Sequence, residues 1–147
     1  MNLTKATLFA LFSVLELARD PGRQISAAEI AEAYGISVNH LAKVLRELGR
    51  AGLVEAVRGV GGGYRFCGNA KRTSLYDVID LFGDIVTDAS VMPGPAGETE
   101  IAQALGRVLT EVDEFAVATL KSISLATLLK SLPRQGIMAT DIFSIEL

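Results

Sequence analysis

The sequence predicts a mainly α fold with one small β-hairpin, and three observations predict it. Two short helical patterns meet across Gly35. Two short β-type runs flank Gly59-Val60-Gly61-Gly62-Gly63, where four glycines in five residues favour a hairpin turn over a helix. Near the C-terminus, Ile101, Leu105, Val108, Val112, Phe115 and Thr119 recur at steps of 4, 3, 4, 3 and 4, the seam of a helix that pairs with another. Together they describe a winged helix-turn-helix domain followed by a long C-terminal dimerisation helix.

Each element can be justified in order. Leu8, Leu11, Phe12, Leu15 and Ala18 give residues 4–18 an apolar helical face, which Asp20-Pro21-Gly22 terminates. Ser26-Ala27-Ala28-Glu29 is a capping box opening a second helix that runs to Tyr34. Gly35 supplies the turn and Ser37 caps a third helix reaching Ala51, with Val38, Leu41, Val44, Leu45 and Leu48 expected inward. Residues 53–58 and 64–66 form the two strands of the wing. Ser74 opens a fourth helix that turns Leu75, Val78, Ile79 and Phe82 inward, while Asp77, Asp80, Asp84 and Asp88 fall at helical spacing on an acidic face. The small, proline-containing stretch 87–97 is expected to be a flexible loop, followed by helices over 98–122 and 125–132. Ser124 caps the last of these and Pro133 ends it; a poorly ordered tail is expected beyond Arg134. This divides the chain into a DNA-binding head (1–72), a connecting helix and loop (73–97), dimerisation helices (98–132) and a tail (133–147).

Composition narrows the function. No apolar run spans a membrane, and Met1–Lys5 is not followed by a secretory signal, so a cytoplasmic protein with no membrane association is expected. The formal charge of −3 hides an asymmetry: residues 1–72 carry ten Lys/Arg against six Asp/Glu, and residues 73–147 carry four against eleven. A basic first half can hold phosphate within a Debye length of about 10 Å while the acidic half faces away. One His, one Cys and no carboxylate–His pairing leave no catalytic constellation, so no enzyme is expected.

The candidate site residues lie in that basic half. Ser37, Asn39, His40, Lys43 and Arg46 are expected on the outer face of the third helix. Asn can meet adenine in two hydrogen bonds, and Lys can meet guanine or phosphate. Arg58 and Arg65 bracket the wing turn, where an arginine can enter the minor groove and Gly59 allows close backbone approach. No helix with a Lys-Ser/Thr pair follows the glycines, which excludes a nucleotide-binding loop. On the long helix, Ile101, Leu105, Val108, Val112 and Phe115 are the expected dimer contacts. Double-stranded DNA with a pseudo-palindromic operator and a second copy of the chain are therefore the expected partners.

Met1–Lys5, Ile30-Ala31-Glu32, Tyr34-Gly35-Ile36-Ser37, Leu41, Ala51-Gly52-Leu53-Val54 and, most specifically, the run from Val57 to Arg65 resemble the IscR/NsrR/CymR regulators of the Rrf2 superfamily. Ser124-Leu125-Ala126-Thr127-Leu128 resembles that family's closing helix, so the likeness spans residues 1–132. The resemblance implies a homodimeric transcriptional regulator, a repressor as many relatives are, and adds Thr4 and Lys5 to the DNA-contacting set. Many members hold an iron–sulfur cluster on three cysteines of the loop before the dimer helix. Residues 87–99 contain none, and Leu8 and Phe12 stand where some members place a further ligand, so no cofactor or metal is expected. Cys67 is read first as a buried or half-buried strand residue and second as a redox sensor, with Arg65 and Lys71 near enough in sequence to lower its pKa. A protein-interaction module, and ligand sensing in a pocket near the dimer helix, are the alternative readings.

Overall fold

The computed structural model describes residues 2–83 and 94–133. Helix α1 (Lys5–Arg19) begins at Thr4, whose hydroxyl accepts the Thr7 N–H at 3.2 Å. Its buried stripe is Thr7, Ala10, Ser13, Val14, Leu17 and Ala18 rather than the bulkier face read from the sequence. The reason is that α1 packs against the third and fourth helices, the wing and the last helix, and the side facing them carries Val14 and Leu17 among smaller residues. Leu11 and Leu15 pack from the flank, and Leu8 and Phe12 are more than one-third exposed. Ser13 is buried at no polar cost because its hydroxyl donates to the Phe9 carbonyl at 2.7 Å.

Helix α2 (Ala27–Tyr34) has the full capping box of Ser26 and Glu29, and Gly35 leaves it in the left-handed region at φ 64°. Helix α3 (Val38–Arg50) follows, with Ser37 accepting the His40 N–H at 3.2 Å. Leu41, Val44, Leu45 and Leu48 form the middle of the core. Val38, expected inward, is exposed because the first turn of α3 stands beyond the packed layer.

Strand β1 (Val54–Val57) pairs antiparallel with β2 (Gly63–Phe66), placing Glu55 opposite Arg65 and Val57 opposite Gly63. The hairpin is tied to the chain entering α2 by an isolated bridge. Ile25 N–H donates to the Tyr64 carbonyl at 2.9 Å, and Tyr64 N–H returns to the Ile25 carbonyl at 2.8 Å. The wing glycines serve two purposes. Gly59 and Gly61 have φ of 113° and 76°, whereas a Cβ at Gly63 would sit 2.6 Å from the Ile25 carbonyl oxygen. Gly63 is therefore required by the bridge, not by the turn.

Helix α4 (Leu75–Asp80) starts on a second capping box, in which the Asp77 carboxylate accepts the Ser74 N–H. The expected acidic face is not formed as read: α4 ends at Asp80, Asp77 serves as a cap, and Asp84 and Asp88 lie outside the described residues. Of the stretch expected as loop, residues 95–97 belong to a 3-10 turn (Pro95–Glu98), with Pro95 at its start. Thr99 then takes an extended conformation and caps α5 (Glu100–Ser122), which begins two residues later than expected. Helix α6 (Leu125–Lys130) is capped by Ser124, and the expected disordered tail lies outside the described residues. Where α5 turns into α6, the main chain bonds back to the segment leading into α4. Leu75 N–H donates to Ile123 at 2.9 Å, Leu125 N–H to Thr73 at 2.8 Å, and Ala126 N–H to Ala70 at 2.9 Å.

Candidate nucleic-acid interface

The outer face of α3 is set by its own amphipathicity. With Leu41, Val44, Leu45 and Leu48 at 0–2% exposure, Asn39, Lys43 and Arg46 are turned to solvent. Ser37 is exposed, although its oxygen is already committed to the cap. His40 is half-buried, its ring edge-on to Phe9 at 5.0 Å. That contact brings the first turns of α1 beside the start of α3. Lys5 and Thr4 therefore lie at the same end as His40, both exposed, with the Thr4 hydroxyl occupied by its cap.

The wing separates its two arginines. Arg58 is exposed and makes no ion pair among the described residues. Arg65, directly opposite Glu55 in the register, is held by that carboxylate through its Nε. The two were read from the sequence as equivalent; cross-strand pairing engages Arg65 and leaves Arg58 without an ion pair among the described residues.

Cys67 is not the buried or half-buried residue expected first, and its pKa moves against the direction that the redox-sensor alternative relied on. It lies just past β2 and is exposed, its thiol donating to the Gly52 carbonyl at 3.4 Å. Its pKa is raised, by desolvation first and by the Glu55 carboxylate second, with Arg65 opposing only weakly. The proposed lowering by neighbouring cations is thus reversed, and the thiol is held protonated.

On α5, the seam residues Ile101, Leu105, Val108, Val112 and Phe115 are 52–82% exposed. The opposite preference is seen at Gly106 and Asp113, the buried residues of this helix. Sequence reasoning missed Asp113, though its place on one helical stripe with Gly106, Thr110 and Val117 was a signal. It also missed the cluster of Phe12, Tyr34 and Glu16. The Tyr34 hydroxyl donates to Glu16 at 2.6 Å, and its ring stacks on Phe12 at 5.0 Å. Burial, then the Glu16 hydrogen bond and charge, push the Tyr34 pKa up to about 12, with Arg19 opposing.

Residues 3–131 match the Rrf2 family, described as iron-dependent transcriptional regulators. The chain is 52% identical over 130 residues to an HTH-type transcriptional regulator, BadM, of Rhodopseudomonas palustris, covering 88% of this chain and 82% of that one. Among solved structures, the oxidised form of Staphylococcus aureus CymR is similar at a TM-score of 0.73 and 25% identity, covering 90% of this chain and 99% of the other. T. potens IscR shares the fold at a TM-score of 0.72 and 22% identity, over 97% and 96% of the two chains.

Iron in the family description invites a test of the donors present. A cysteinyl cluster needs several thiolates, and this chain has a single cysteine, set at the base of the wing against Gly52. Leu8 and Phe12 offer α1 no ligand atom, and Phe12 is stacked on Tyr34. Among the described residues no three His, Cys, Asp or Glu side chains come together. The residues do not fit a cysteine-ligated cluster. The fold, the exposed basic face of α3, the wing and the extent of the likeness agree on what remains, and the chain belongs to the Rrf2 family of transcriptional regulators.

Proposed function

We propose that the protein is a cytoplasmic, non-enzymatic homodimeric repressor that reads a pseudo-palindromic operator in double-stranded DNA. The observation that carries this is the uncovered seam of α5: five large apolar side chains in a row stand in solvent, and the buried residues of the helix, Gly106 and Asp113, lie off that row. Their spacing supports a two-fold antiparallel pairing. Steps of 4, 3, 4, 3 and 4 read the same in both directions, so Leu105 meets Phe115 and Val108 meets Val112 of a second copy. Two heads then address two half-sites.

Within each head, Asn39 and Lys43 are assigned to base edges and phosphate in the major groove, with Ser37, His40 and Arg46 flanking them. Lys5 and Thr4 approach the backbone, and Arg58 with Gly59 enters the minor groove. Arg65 is given a lesser part, because Glu55 already neutralises it. The head is drawn as residues 1–72, the connector as 73–97 and the dimerisation helices as 98–132. No described helix is long and apolar enough to cross a membrane.

Sedimentation combined with fluorescence anisotropy on promoter DNA tests the proposal. A dimer whose affinity falls steeply with salt is expected. A strict monomer at micromolar concentration, or no binding at low salt, would overturn it.

A further inference from the structure

A groove of about 440 Å³ runs along α5 beside α4 and is lined by Tyr76, Thr110, Asp113, Glu114, Val117 and Lys121. Asp113 is only 7% exposed, and among the described residues its carboxylate has no hydrogen bond or ion pair; Oδ2 is fully shielded. Buried polar groups in folded proteins are ordinarily hydrogen-bonded, and leaving one without a partner is unfavourable. The nearest cation in the groove does not fill this role. Lys121 lies eight residues further along α5, about 12 Å at 1.5 Å per residue, with its ammonium 4.9 Å from the centre of the Tyr76 ring.

Nor would a second copy, paired through the seam as proposed above, supply the partner. At about 100° per residue, Thr110 lies on the side of α5 opposite the Ile101–Thr119 seam, and the other α5 residues lining the groove cluster around it. Pairing through the seam leaves the groove open. Two carboxylates face one ammonium, so the groove favours positive charge, while Val117 and the Tyr76 ring give it an apolar wall. A metal ion is a poor match, because no third carboxylate, His or Cys joins Asp113 and Glu114 among the described residues.

We propose that this groove binds a compact organic cation, a primary ammonium on an apolar stem. The ammonium donates to the Asp113 carboxylate, Glu114 adds negative potential, and the stem lies along Val117 and Tyr76. The site is separate from the DNA-contacting surface, and binding to it requires no DNA.

Titration of the full-length ¹⁵N-labelled protein without DNA tests this, with n-butylammonium chloride as the probe and 1-butanol, sodium butyrate and magnesium chloride as comparisons. Butylammonium is expected to give saturable shifts at the Thr110, Asp113 and Val117 amides, and 1-butanol at equal concentration is not. Asp113→Asn should weaken binding at least about tenfold, the range of a charge-assisted hydrogen bond. Val117→Phe, which fills the groove and leaves Asp113 in place, should abolish it and decides the matter if Asp113→Asn fails to fold. Equal binding of 1-butanol, saturation by magnesium alone, unchanged titration of both variants, or no saturable shift would each overturn the proposal.

Discussion

Leu41, Val44, Leu45 and Leu48 on α3 lie in the middle of the core, whereas Ile101, Leu105, Val108, Val112 and Phe115 on α5 stand in solvent. Both rows repeat at helical spacing and are built from the same kinds of side chain. The first is completed within the chain, because α1 and α2 cover it. The second lacks a cover among the described residues, and burial of its apolar surface is the driving force left for association. The contrast separates what folds the head from what, on the proposed reading, assembles it, and substitutions can pull the two apart.

The largest effect is expected in the head. Leu45→Ala removes a fully buried side chain and should lower unfolding free energy by about 2–5 kcal/mol in denaturant titrations. Val112→Asp on the seam should do the reverse: the head keeps its helical spectrum, while self-association weakens by at least about a hundredfold, since an unpaired charge buried at such an interface costs about 3 kcal/mol or more. Sedimentation that still shows a stable dimer would erase the distinction drawn between the two rows. Within the head, Arg58→Ala should cost DNA affinity about 1–3 kcal/mol by anisotropy, and Arg65→Ala clearly less, because Glu55 already engages Arg65. Equal losses would show that the Arg65 pair opens on DNA.

The smallest effect concerns alkaline pH. Tyr34 in the folded protein titrates at about 12 against an ordinary 10, so the protonated phenol is favoured by folding. Its stabilising contribution is complete below pH 10 and is lost as pH rises toward 12. Tyr34→Phe should therefore flatten the decline of melting temperature across that window, while leaving the seam untouched.

Much of this was legible in the sequence because it is local. The caps at Ser26, Ser37, Ser74 and Ser124, the Gly35 turn, the hairpin and the α5 repeat each depend on residues within a few positions of one another. What was misread depends on partners far along the chain. The face α1 buries is chosen by helices and strands that arrive later, and so the apolar face read through Leu8 and Phe12 is only in part the one that is buried. Arg65 was taken as free because only strand register reveals Glu55 opposite it. Cys67 was expected to be shielded, or alternatively to be acidified by cations, yet the residue is exposed and the nearby Glu55 outweighs Arg65. Asp113 went unnoticed because its burial follows from the packing of α5 on α4.

The joint between head and dimer helix has a different kind of consequence. The bonds from Leu75, Leu125 and Ala126 are made by main-chain groups, so side-chain change cannot remove them except where proline deletes the donor. On the proposed reading, a lineage can therefore exchange the outward residues of α3 freely, acquiring new target sequences, while the placement of one head relative to its α5 is inherited intact. Specificity and spacing become separately evolvable traits of the same short chain.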